Sequence, residues 1–115
     1  MLEFGQELME QANQLTGMLT EREYVEALER NRYLAAEQGI NATLKEVGAH
    51  AIILPQDFGC NVGAAAGFPA ITVPFGYTKT HEPFGITFNG MAFSEPNLIE
   101  YAYAFEQAVK GRRKP

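Results

Sequence analysis

The chain has 115 residues, of which 46% are apolar and 20% charged, and its formal net charge is −5. One domain is the most this length holds, able to bury roughly two thirds of its unfolded surface if it folds alone, and the ordinary apolar share excludes a disordered chain. The excess acid lies in residues 1–50, with Lys79, Lys110, Arg112, Arg113 and Lys114 balancing the acids of the second half, which argues against a nucleic-acid partner.

The first predicted element is an amphipathic helix. Leu8, Ala12, Leu15 and Leu19 recur at helical spacing among Glu7, Glu10, Gln11 and Gln14, the run Leu2-Glu3-Phe4-Gly5 leads in, and Thr16-Gly17 offers a stop. Such a stripe needs a partner surface. Thr20-Glu21-Arg22-Glu23 has the form of a capping box, so a second helix is expected from there. Tyr24, Ala27, Leu28, Leu34 and Ala35 give it an apolar face, Glu21, Glu26, Glu29 and Arg30 a wet one, and Gly39 an αL terminus. Asn41-Ala42-Thr43 has the form of a glycan acceptor but reads as the cap of a short third helix, Asn41 to Val47, closed by Gly48.

The period then changes. Ala51-Ile52-Ile53-Leu54, ended by Pro55, is a continuous apolar run that predicts a strand buried on both faces. Residues 59–66 read as a Gly/Ala loop, Ala70-Ile71-Thr72-Val73 as a second strand between Pro69 and Pro74, and Gly76 to Glu82 as a turn. Phe84, Ile86 and Phe88 alternate with Gly85 and Thr87 in a third strand, so the last two strands suit a hairpin. Ser94 then caps a final helix with Pro96 in its first turn and Leu98, Ala102, Phe105 and Val109 on its buried stripe, and the basic residues 110–114 read as charges offsetting the helix C-terminus. The expected architecture is a single α/β domain, 1–115: a helical segment over 1–50, then a mixed sheet of about three strands flanked by helices over 51–110.

Candidate chemistry is sparse. Cys60 with His50 or His81 and Asp57 contains the residue types of a thiolate nucleophile, base and orienter, but they are scattered, and a lone cysteine beside a Gly/Ala run reads first as packing. Ser94 lacks the Gly-x-Ser-x-Gly elbow of a nucleophile. No His-Glu-x-x-His or Cys-x-x-Cys spacing implies a metal, no phosphate loop implies a nucleotide, and no cofactor is expected. No apolar run approaches the ~18 residues of a membrane span, no secretory leader is predicted, and the single cysteine fits a cytoplasmic address.

The order of parts resembles the closing segment of amidase-signature hydrolases. The parts are Tyr24 to Leu28, the strand Ile52 to Pro55, the Gly-rich stretch Gly59 to Ala66, Gly67-Phe68-Pro69-Ala70-Ile71-Thr72-Val73-Pro74, Pro83 to Phe88, and Phe93-Ser94-Glu95 leading into Tyr101 to Ala108. One departure is Gly90-Met91-Ala92, where that family often has Gly-Arg-x. The resemblance implies an enzyme that cuts carboxylic amide C–N bonds with a serine nucleophile, a second serine on a cis peptide and a lysine, all carried upstream of these parts. This chain has one serine, Ser94, and so contains no catalytic residue of that set. It further implies that Phe58, Cys60 and Asn61 line the substrate pocket, that a small amide is substrate only in a complete enzyme, and that the partner is a missing catalytic half or a second copy. A second reading is a standalone binding or scaffolding module that self-associates; a third is a small hydrolase working through Cys60 or through residues supplied by a partner chain.

Overall fold

The computed structural model describes residues 5–15 and 17–113; the lead-in Leu2 to Phe4, the stop at Thr16 and the charge of Lys114 lie outside them. In chain order the elements are α1 (Glu7–Asn13), α2 (Arg22–Arg32), a π-helical stretch (Tyr33–Asn41), α3 (Ala42–Val47), β1 (Ile52–Pro55), α4 (Cys60–Ala66), β2 (Ala70–Tyr77), β3 (Pro83–Asn89) and α5 (Glu95–Val109).

The two expected helices between Thr20 and Gly48 are one continuous rod. Glu21, in extended conformation, takes the N-cap position, so the helix begins at Arg22 and Thr20 stands outside it. Gly39 does not end the helix but sits within the π-helical stretch, where a Cβ would lie 2.9 Å from the Leu34 carbonyl oxygen. A helical glycine costs about 1 kcal/mol relative to alanine, which is less than burial of the stripe Ala36, Ile40 and Leu44 contributes. Asn41 is accordingly interior (φ −64°, ψ −45°), not a cap, and the rod ends where expected, at Gly48 with φ 66°.

The sheet has the order β1-β3-β2, with both neighbouring pairs antiparallel. The expected hairpin joins β2 to β3. β2 runs past Pro74 to Tyr77 through an irregularity between Pro74 and Gly76, which lets an edge strand carry proline. β1 is not buried on both faces: it is an edge strand in which Ile52 and Leu54 are half-buried while Ile53 is 57% exposed. The Gly/Ala stretch expected as a loop is the helix α4, begun at Gly59 and ended by Gly67 at φ 72°.

Register assigns the two faces. Ile71 opposes Phe88 and Val73 opposes Ile86 on the face that packs against Leu98, Ala102 and Phe105 of α5. Ile52, Leu54 and Asn89 alternate onto the other face, covered by α4 and, behind it, by the rod. Ser94 holds the N-cap position of α5, but its hydroxyl donates to the Met91 carbonyl (2.7 Å) instead of capping the helix. The basic tail does more than offset a helix end. Gly111 packs on the Phe75 carbonyl, the Tyr77 hydroxyl donates to the Arg113 carbonyl at 3.4 Å, and the Arg113 guanidinium stands 5.6 Å from the Tyr77 ring centroid.

The whole is a slab, 50 × 44 × 20 Å, with a Cα radius of gyration of 18.1 Å, against about 13 Å for a compact chain of this length. Its accessible surface of 9323 Å² exceeds the roughly 6200 Å² of a compact monomer of this mass, so the burial expected from length alone is not reached. Among the described residues no helix is long and apolar enough to cross a membrane.

Candidate functional site

The expected pocket residues lie on the turn that carries the chain from β1 into α4. Gln56 sits there at φ 49°, a conformation that a non-glycine residue holds only when its surroundings fix it. Three bonds do so. The Gln56 amide donates to the Gly85 carbonyl at 2.8 Å, and the fully buried Thr87 hydroxyl donates to the Gln56 carbonyl. Because that uses the one proton of Thr87, the 2.7 Å contact between Thr72 and Thr87 has the Thr72 hydroxyl donating. A relay of hydroxyls across the hairpin thus pins the exit of β1.

Beyond this pin the chain closes a turn, with the Phe58 amide on the Pro55 carbonyl (3.3 Å) and the Cys60 amide on the Asp57 carbonyl (2.9 Å). Phe58 is 70% exposed, Cys60 is half-buried at the first position of α4, and Asn61 is exposed beside it. The turn brings all three together at one end of α4. They do not line the cleft of about 370 Å³ at the hairpin, which is formed by residues including Thr72, Tyr77, Phe84, Gly85 and Arg112.

Two glycines set the seat of α4. A Cβ on Gly59 would meet the Asn89 Nδ2 at 2.2 Å, and one on Gly63 would meet the Asn89 Oδ1 at 2.6 Å. Asn89 is 2% exposed, and neither polar atom of its side chain has a hydrogen-bond partner among the described residues. A buried amide in that state costs on the order of 1–3 kcal/mol. Sequence reasoning missed Asn89, Gln56 and Thr87. The available signal was a polar residue closing the otherwise apolar strand 84–89, two residues after a threonine.

The alternative chemistry does not assemble. Among the described residues no hydrogen bond joins Cys60 to His50 or His81; His81 sits in the turn after β2, its amide on the Thr78 carbonyl at 3.0 Å. Nor do the described residues contain a group of three or more His, Cys, Asp or Glu side chains placed to hold a metal ion.

Relatives decide what such a sheet-and-helix piece belongs to. A probable amidase of Arabidopsis thaliana is 41% identical over 113 residues, which are 98% of this chain and 22% of the relative. The native peptide amidase of Stenotrophomonas maltophilia superposes with a TM-score of 0.88 at 38% identity, covering all of this chain and 26% of that one. The chain belongs to the amidase-signature family.

Within that family an amidase family protein of Bacillus anthracis superposes with a TM-score of 0.86 at 32% identity, over 99% of this chain and 22% of that one. The chain therefore spans about a quarter or less of the length of these amidase-signature relatives, and it corresponds to their C-terminal part. No family model matches it. The open faces of the slab and the absence of a second serine are properties of a part of an amidase-signature fold.

Proposed function

We propose that the chain is the part of an amidase that supplies one side of the sheet and a wall of the acyl pocket, without the nucleophile. Phe58, Cys60 and Asn61 face a small amide substrate from the pinned turn, and hydrolysis of the carboxylic amide C–N bond takes place only when the catalytic part, with its serines and lysine, is present. The chain alone is inactive, requires no cofactor, and works in the cytoplasm. The observation that carries this reading is the fate of the single serine: the Ser94 hydroxyl is bonded to the Met91 carbonyl in the turn before α5 and is not presented beside a base.

The test is ammonia release from amidated peptides and simple carboxamides by the purified chain. No release above buffer is expected, and turnover that Cys60→Ala abolishes would replace this reading with the thiol hydrolase. A second reading has its own support: the slab leaves Leu8, Leu15, Leu19, Ile53 and Phe58 exposed, and large apolar surfaces favour association. On that reading the free chain is a self-associating module, and light scattering on a sizing column would give a dimer or larger in place of 12.7 kDa.

A further inference from the structure

The cleft at the hairpin, about 370 Å³, has the size of sites that take small organic molecules. Its walls are mostly apolar: Pro74 and Tyr77 come from β2, Pro83 and Phe84 from β3, while Gly76 and Gly85 contribute no side chain to fill it. A Cβ on Gly76 would meet nothing within 4 Å, so the space above it is open. Phe84 is held by its edge contact with Phe75, centroids 6.0 Å apart.

The remaining wall is the tail. Lys110, at φ 48°, turns the chain out of α5, and Gly111 then lies so close to β2 that a Cβ on it would collide with the Phe75 carbonyl. One residue further on, the Tyr77 hydroxyl donates to the Arg113 carbonyl and the Arg113 guanidinium stands over the Tyr77 ring. Arg112, between these two anchors, is the one charged residue among the described residues that line the cleft. Its side chain is exposed, and no described acid pairs with it, the ion pair among the described residues being Arg22 with Glu26.

We propose that this cleft binds a small organic carboxylate, with an aromatic or branched apolar body against Pro74, Tyr77, Pro83 and Phe84 and its carboxylate on the Arg112 guanidinium. The chemistry selects the class. A guanidinium is a planar fork that matches a carboxylate with two parallel N–H···O bonds. A single unpaired cation suits a monoanion, because Arg113 is already engaged on Tyr77; a phosphate dianion would meet one cation and apolar walls. The site lies apart from the turn that carries Phe58, Cys60 and Asn61, and it does not rest on the amidase-part reading.

The test is titration of the isotope-labelled 115-residue chain with 3-phenylpropionate, followed by amide chemical shifts. Neutral 3-phenylpropionamide and inorganic phosphate serve as controls. Saturable shifts at Gly76, Gly85, Gly111 and Arg112 are expected, with a Kd on the order of 1–10 mM. Binding should weaken about three- to fivefold for the amide and for the acid in Arg112→Gln, and about tenfold or more in Gly76→Leu, whose side chain occupies the open space. Gly76 is not in the left-handed region, so leucine is admissible there, and native amide dispersion checks that both variants fold. Exposed Arg112 keeps the test decisive should Gly76→Leu not fold. The absence of saturable shifts would overturn the site. Equal binding of acid and amide, or no effect of Arg112→Gln, would overturn the carboxylate assignment, and phosphate binding as tightly as the acid would reduce the cleft to a surface charge.

Discussion

The α5–β2–β3 unit and the α1 segment carry equally clear helical or strand periodicity, and they end in opposite states. In the first, Val73, Phe88, Leu98 and Ala102 are buried, and Phe75, Phe84, Phe88 and Phe105 meet in edge and stacked pairs with centroids 5.9–6.0 Å apart. In the second, no residue of α1 is buried and Leu8 is 81% exposed. Periodicity states that a face must be covered; whether the cover is in the same 115 residues is a separate question.

The comparison can be broken by substitution. Leu98→Ala should cost about 2–5 kcal/mol in urea unfolding, because Leu98 is at the centre of the α5 interface, whereas Leu8→Ala should stay within about 0.5 kcal/mol. Equal effects would mean that α1 has a cover not seen in the slab. Gly63→Val drives a branched side chain into Asn89 and should destabilise by about 1–3 kcal/mol, with faster amide exchange in α4; a neutral result would deny the close seat of α4 on β3. Thr87→Val keeps the shape but removes the donor to the Gln56 carbonyl, an expected loss of about 1 kcal/mol read as exchange of the Gln56 amide. The smallest effect, about 0.5–1 kcal/mol, is expected for Arg113→Ala at the Tyr77 ring, and it should vanish in the background of Tyr77→Leu.

Much of the fold was legible because its signals are local. The three strands, the hairpin, the Gly48 terminus and the final helix behind Ser94 follow from period and turn chemistry within a few residues. Two of the errors share a cause. The helix-breaking propensity of glycine predicts a stop at Gly39 and a loop over 59–66, and packing overrules both: burial of Ala36, Ile40 and Leu44 carries the rod through Gly39, and glycine at 59 and 63 is what lets α4 descend onto Asn89. The tail is a similar case, since nothing near Gly111 in sequence announces the Phe75 carbonyl.

By itself, then, the sequence determined the three strands and the final helix, the family resemblance and the absence of a serine pair, since those depend on residue identity and short spacing. Only the tertiary structure decided that β1 is an open edge, that the exit of β1 is pinned by Thr72 and Thr87, and that the chain is a slab with uncovered faces. These depend on which surfaces meet at long range, and a periodic stripe specifies that it needs a partner without specifying which one.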